Sequence, residues 1–168
     1  YWDALIVTGG ITIVGNLFFG NVLGINETTS HKFIVDANIF ADNFFNNTSQ
    51  FPRLELHDRF NSPTTDLHFI TNNWLVNTRI LPIGSLILAN NTILGSNAGI
   101  YLSGEASGSH IHVLNNIVGY AEIGLYDFRA EGNFRRVENN LFWQNGKNVE
   151  GLPNPVGKNG NVQADTRF

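Results

Sequence analysis

The chain repeats one short pattern of apolar and polar residues around an asparagine. An aliphatic residue stands three positions before each asparagine, an apolar residue stands two positions after it, and the position two before it is mixed. Because successive side chains of a strand face opposite sides, the two apolar columns predict inward positions and the mixed column predicts an outward one. The six windows centre on Asn16, Asn38, Asn73, Asn91, Asn116 and Asn140, at spacings of 22, 35, 18, 25 and 24 residues.

Each window predicts two short strands that meet at a corner, and several repeats add a third apolar segment, at 23–25, 99–102 and 124–126. Three short strands that recur at a solenoid period predict stacked coils. The strands are too short and too frequent for helical crossovers, and there is no long amphipathic pattern, which disfavours a doubly wound α/β sheet. The predicted fold class is all-β, a right-handed single-stranded parallel β-helix of about six to seven coils.

The recurring asparagine has two physical uses at such a corner. It tolerates left-handed backbone conformation, and its amide can donate to and accept from amides stacked above and below it. The alternative is that asparagine only marks solvent-exposed turns, but apolar residues flank it on both sides in every window. We therefore expect an internal ladder formed by Asn16, Asn38, Asn73, Asn91, Asn116 and Asn140.

Composition sets the size of the protein and excludes several partners. With 168 residues, 42% of them hydrophobic, the chain can bury one continuous core, so residues 1–168 are expected to form a single domain. Only 14% of residues are charged and the net charge is -4, unlike the basic surface of a nucleic-acid-binding protein. No apolar run reaches the roughly 18 residues of a membrane span. Cysteine is absent, and Asp36 and Asp42 are too scattered for calcium, so neither a metal nor another cofactor is expected.

The first residues suggest a piece of a longer protein. The chain has no methionine and opens on YWDALIV, which is typical of a strand already in progress. We expect further coils, or a leader peptide, outside these residues.

The repeat resembles that of a known family. Residues 90–95 (NNTILG) followed by 98–102 (AGIYL), and 115–119 (NNIVG) followed by 123–125 (IGL), are similar to the parallel β-helix repeat of secreted, bacterial pectate-lyase-like proteins. Residues near the C-terminus resemble the closing segment of many bacterial right-handed β-helix proteins, although Thr166 stands where that family usually has proline. Residues 144–168 are therefore expected to close the solenoid.

The resemblance implies a secreted or cell-surface protein that cuts, modifies or binds acidic polysaccharides. The same fold also occurs in tailspikes, adhesins and structural modules, so function must be argued from a site. The chain lacks the paired aspartates of polygalacturonases, the Asp-Pro-His-Asp of alginate epimerases and an evident pectate-lyase calcium cluster. The sequence leaves two classes open: a polysaccharide lyase or glycoside hydrolase, or a non-catalytic surface, adhesin or fibre-forming module that associates with itself.

Ionisable residues gather first in the long interval between the second and third windows. This interval predicts an inserted loop over residues 50–63, which contains His57, Asp58 and Arg59. A lyase needs a base to take the proton beside a uronate carboxylate and a cation for the developing charge, and His57 and Arg59 suit these roles, with Asp58 between them. The alternative is a solvated loop with local ion pairs.

A second candidate surface follows from the stacking of coils. His112 and Arg136 occupy the same outward column in successive windows, and Glu138 lies two residues further. Tyr101 and Tyr126 are expected on another face of the same coils. Together these residues could bind an acidic sugar chain, and the alternative is an ordinary polar ladder on the surface.

Overall fold

The computed structural model describes residues 12–19, 24–27, 34–41, 53–58, 67–82, 85–95, 97–102, 110–128 and 134–164. Every regular element in these ranges is a β-strand, and none of them forms a helix that could cross a membrane. The strands are β1 (Thr12–Val14), β2 (Leu17–Phe19), β3 (Gly24–Glu27), β4 (Ile34–Asp36), β5 (Ile39–Ala41), β6 (Arg53–Asp58), β7 (His68–Thr71), β8 (Trp74–Val76), β9 (Arg79–Pro82), β10 (Leu86–Ala89), β11 (Thr92–Leu94), β12 (Ala98–Leu102), β13 (His110–Leu114), β14 (Ile117–Gly119), β15 (Ile123–Asp127), β16 (Phe134–Glu138), β17 (Leu141–Trp143), β18 (Lys147–Glu150) and β19 (Val162–Ala164).

The described strands form three sheets, and all their pairings are parallel. The first sheet has the order β1-β4-β7-β10-β13-β16, the second β2-β5-β8-β11-β14-β17-β19 and the third β3-β6-β9-β12-β15-β18. Three consecutive strands, which we call a triplet, therefore place one strand in each sheet. The predicted all-β class is confirmed, and the topology is compatible with a parallel β-helix.

The core lies along the predicted inward columns. The six aliphatic residues three positions before the ladder asparagines are at most 7% exposed. Two positions after the asparagines, five of the six apolar residues are fully buried, and Phe18 is partly buried against the core. Phe18 stacks on Phe40 of the next triplet, with ring centroids 5.0 Å apart. The inward prediction is confirmed in both columns.

The column predicted to face outward has one exception. Val14 is 51% exposed, but Ala89 is only 9% exposed. Ala89 lies in register between Thr71 and Leu114 on the two neighbouring strands. The side chain of Ala89 is a single methyl group, which is shorter than the side chains of Thr71 and Leu114. These longer side chains therefore shield it from water.

Buried amides form the predicted ladder. The Nδ2 of Asn91 donates to Oδ1 of Asn116 at 3.0 Å and to the carbonyls of Ile70 and Ala89 at 2.9 and 3.0 Å. Its Oδ1 accepts from the main-chain N–H and from Nδ2 of Asn73, each at 3.0 Å. Two amide hydrogens thus serve three acceptors. The same contacts run through Asn16, Asn38, Asn73, Asn91, Asn116 and Asn140, which are at most 2% exposed except for the exposed Asn16.

The structure adds a residue to this ladder and corrects its backbone. Asn161, which is 1% exposed, accepts from Nδ2 of Asn140 at 2.9 Å. The left-handed conformation expected of the ladder asparagines falls instead on the residue before each of them. Positive φ angles occur at Gly15, Ala37, Asn72, Asn90, Asn115, Asn139 and Gly160. The corner is turned by the preceding residue, which leaves the ladder asparagine free to direct its amide inward.

Part of the segment expected to be an inserted loop is a strand. Arg53–Asp58 forms β6, which pairs with β3 and β9 in the third sheet. The alternation of leucine with polar residues in RLELHD is a strand pattern. The additional length of this repeat therefore lies on either side of β6.

After β18, residues outside the strands pack against the core, and the inward column of the second sheet is no longer apolar. Leu152 and Val156, between β18 and β19, pack against the core. In β19 the inward column holds the exposed Gln163 in place of an apolar residue, and its Oε1 accepts from Nδ2 of Asn148 at 2.8 Å. A polar side chain thus occupies this column at the last described strand.

The outer side of the second sheet is apolar along its whole described length. Alternation places the first and third residues of each strand outward, and in six of the seven strands the residue between them is buried or partly buried. We call these outward residues the apolar face, because none is charged. The first row is Leu17, Ile39, Trp74, Thr92, Ile117, Leu141 and Val162, and the second row is Phe19, Ala41, Val76, Leu94, Gly119, Trp143 and Ala164.

Candidate functional site

The predicted cationic cluster lies on the outer side of the first sheet. His112 in β13 and Arg136 in β16 occupy paired register positions on adjacent strands. Nη2 of Arg136 lies 2.7 Å from Oε2 of Glu138, and the two side chains are 48% and 27% exposed. The expectation that these three residues are neighbours is therefore confirmed for their positions.

The ion pair favours the charged forms of Arg136 and Glu138. A hydrogen bond from Arg136 holds the pKa of Glu138 below its usual value against partial desolvation, and electrostatic attraction to Arg136 and His112 adds to this effect. The same hydrogen bond raises the pKa of Arg136. A guanidinium has five N–H donors, so Arg136 can hold Glu138 and also meet a carboxylate of a ligand.

Tyr101 and Tyr126 form an aromatic cluster on the third sheet. They occupy paired positions of β12 and β15, with ring centroids 4.9 Å apart and planes at 57°. The ring of Phe128, a side chain that is 55% exposed, lies 6.3 Å from that of Tyr126. The three rings form a partly exposed aromatic surface beside the strand ends.

The third sheet also contains two residues of the first predicted site. His57 and Asp58 are the last two residues of β6, and Arg59 lies outside the described residues. The strand order β6-β9-β12 puts β6 two strand spacings, about 10 Å, from Tyr101. The structure therefore brings His57 and Asp58 onto the sheet of the tyrosines, whereas the sequence grouped the tyrosines with His112 and Arg136.

A buried ion pair was missed at the sequence level. Nε of Arg135 lies 2.7 Å from Oδ2 of Asp127, and the side chains are only 8% and 0% exposed. Arg135 stands five positions before Asn140, in a column that holds Leu86 and Ile111 in the preceding windows. A charged residue in an inward column requires a buried partner. The position of Arg135 in such a column could therefore have indicated a buried ion pair from the sequence. The pair joins β15 to β16 across their connection.

Asp36 is engaged by its neighbours in the first sheet. Its Oδ1 accepts from the Thr71 hydroxyl at 2.6 Å and from Nδ2 of Asn72 at 2.8 Å. These bonds, that of Thr71 above all, lower the pKa of Asp36. Asp42 lies outside the described residues, and within the described ranges no three His, Asp or Glu residues are grouped closely enough to hold a metal ion.

No family model matches the chain, and no match was found among curated proteins or solved structures. The class of protein therefore follows from the structure: an all-β chain whose parallel sheets are joined at one corner by a buried asparagine ladder. Its candidate ligand surfaces are the aromatic cluster of the third sheet and the cationic cluster of the first.

Proposed function

We propose that this chain is a right-handed parallel β-helix of the pectate-lyase-like kind, with about six to seven coils, that binds an acidic polysaccharide outside the cell. The fixed order of the three sheets in each triplet supports the coil, and the strong preference of parallel connections for one hand supports its handedness. The sequence resemblance supports secretion and the substrate class.

The aromatic cluster of Tyr101 and Tyr126 carries the binding part of the proposal. Sugar rings present faces of C–H groups that pack against aromatic rings, and each tyrosine adds a hydroxyl for hydrogen bonding. The rings are in contact, so they offer one continuous platform on the sheet that also contains His57, with β9 between Tyr101 and the strand of His57. A cation at Arg59, and those of the first sheet, suit the carboxylates of uronate residues.

A binding measurement tests this role directly. Affinity for pectate, alginate and a glycosaminoglycan is compared between the parent chain and the variant that combines Tyr101→Ala with Tyr126→Ala. At least a tenfold loss is expected, because the stacking platform is removed. Tyr120→Ala is the matched control, since Tyr120 is 51% exposed at the corner between the second and third sheets. Equal losses in both variants, or a parent that binds none of these polymers, would contradict the proposal.

Catalysis is a separate step with its own readout. If the chain is a lyase, His57 removes the proton beside the uronate carboxylate, Arg59 stabilises the developing negative charge and Asp58 orients His57. The C4–C5 double bond then forms as the glycosidic C4–O bond breaks, and the leaving oxygen takes a proton from the protonated His57 or from water. Lyase products absorb in the ultraviolet, and hydrolase products carry new reducing ends. His57→Ala should abolish the product while glycan binding persists. Arg59→Ala should abolish the product and also weaken binding, because Arg59 pairs with the uronate carboxylate.

A non-catalytic surface, adhesin or fibre-forming module is the second candidate, and the pairing of charges favours it. Arg136 is engaged by Glu138, and Lys147 lies 3.0 Å from Glu150. A folded parent that binds glycan but yields neither unsaturated sugars nor reducing ends would establish this function in place of the enzyme.

A further inference from the structure

The apolar face exposes more hydrophobic surface than water favours. Leu17 and Phe19 are 69% and 66% exposed at one end of the second sheet, Trp74 is 53% exposed near its middle and Val162 is 53% exposed at the other end. Seven strands at about 4.8 Å spacing make the face about 29 Å long. Contiguous apolar surfaces of this kind mark interaction sites.

We propose that the apolar face is covered by the same face of a second copy of this chain, in a two-fold dimer. Six residues of the face expose between 38% and 69% of their surface, and with their neighbours they offer on the order of 600–800 Å². Each partner in a stable protein complex contributes about 800 Å². The face and a narrow rim around it are therefore large enough for a dimer.

The composition of the face fits a second copy better than a glycan. Thr92 carries its one hydroxyl group, and the two indole N–H groups of Trp74 and Trp143 are its other polar side-chain atoms. Sugar hydroxyls would lose hydrogen bonds to water against such a surface. Two copies of the face have the same strand spacing, so their side-chain rows can lie opposite each other with the sheets about 10 Å apart.

The position of Thr92 identifies the symmetry axis. Thr92 begins β11, the fourth of the seven described strands of the second sheet. A two-fold axis that runs parallel to the strands and passes through β11 reverses the order of the strands in the second sheet of the partner. It also brings Thr92 against Thr92 of the partner. The only hydroxyl of the face then meets its own copy, and two hydroxyl groups can donate to and accept from each other.

The same axis matches large side chains to small ones in the second row. Trp143 meets the partner's Ala41, and Phe19 meets the partner's Ala164, because each row faces itself with the strand order reversed. A two-fold axis along the stacking direction would instead set Phe19 against Leu17 of the partner. Close packing disfavours that overlap.

Solution mass tests the dimer. In light scattering, the parent chain should show about twice the 18.6 kDa monomer mass, and Trp74→Glu and Ile117→Glu should each shift it to the monomer with an unchanged circular dichroism spectrum. Phe128→Glu is the matched control, because Phe128 is 55% exposed directly after β15 of the third sheet, and it should remain a dimer. A folded parent that stays monomeric overturns the proposal, even if another molecule binds this face.

Crosslinking tests the position of the axis. The chain has no native cysteine, so an introduced cysteine is the only thiol that can react. Thr92→Cys should form a covalent dimer with a short bismaleimide, whereas Leu17→Cys alone should not, since its copies would lie about 29 Å apart. A mixture of Leu17→Cys and Val162→Cys should crosslink. Crosslinking of Leu17→Cys to itself would overturn the reversed strand order. The tyrosine variants that abolish glycan binding should leave the dimer intact, which separates this proposal from the proposed function.

Discussion

At the scale of single residues, two neighbouring positions share the work of each ladder corner. The residue before the asparagine adopts the left-handed conformation, for which glycine and asparagine are the least costly choices. The asparagine that follows uses its amide to bond three acceptors at about 3 Å, one of them in the next triplet. Asparagine pairs such as Asn90 and Asn91 therefore contain two residues with different physical roles.

Replacing a central ladder residue should be costly. Asn91→Ala leaves the amide and N–H of Asn73 without their buried acceptor, and we expect a loss of about 1–3 kcal/mol in the free energy of unfolding. Asn16→Ala is the matched control, because Asn16 occupies the same ladder position but is exposed to water. Urea denaturation measures both. Equal losses would mean that the ladder contributes nothing beyond a surface turn.

Asp36 should make stability depend on acidity. Its folded pKa lies below the ordinary 3.8 because of the hydrogen bonds from Thr71 and Asn72. The stabilisation is therefore fully present above pH 3.8 and is lost as the pH falls through the lower, folded value. Thr71→Val should raise the Asp36 pKa toward 3.8 and weaken this acid-dependent loss, as NMR titration and denaturation at low pH would show. Thr12→Val, at an exposed position of β1, should leave the profile unchanged.

At the scale of elements, the strands are short and depend on contacts between triplets. A three-residue strand such as β11 has few hydrogen bonds of its own, and it is held by β8 and β14 on its two sides. In the part of the chain that the structure describes, charged groups enter the core as a pair supplied by two elements, β15 with Asp127 and β16 with Arg135.

Breaking that pair should destabilise the protein strongly. Arg135→Met leaves the carboxylate of Asp127, whose side chain is 0% exposed, without its cation, and we expect a loss of about 3–5 kcal/mol. Adding Asp127→Leu should recover most of the loss, because the uncompensated charge is then gone. Lys147→Met removes a half-exposed pair and should cost about 1 kcal/mol or less. Thermal denaturation of the four proteins decides whether burial of the pair matters.

At the scale of the whole molecule, parallel sheets define the architecture, and the described residues contain no crossover helix. Far-ultraviolet circular dichroism should show strand with almost no helix, since all the regular elements in the described ranges are strands. A helix-rich spectrum would contradict both the sequence pattern and the topology. The spectrum also provides the folding control for the variants of the apolar face.

Local periodicity made much of the fold predictable. The aliphatic column before the asparagines and the apolar column after them alternate as strands must, so burial could be assigned from residues such as Val35 and Phe40. Asn161 escaped the alignment because Lys158 stands three positions before it, where the other windows have an aliphatic residue. The alternation of leucine with polar residues in β6 predicts a strand. The unusually long interval between Asn38 and Asn73 led instead to the prediction of an inserted loop.

The sequence by itself determined the strands, the inward columns and the ladder, because these depend on the period of side-chain direction along one chain. Only the tertiary structure decided which side chains from different repeats share a surface. Strand pairing across triplets put His57 on the sheet of Tyr101, joined Asp127 to Arg135 and aligned the apolar face. These contacts depend on register and connection length, which no local pattern specifies.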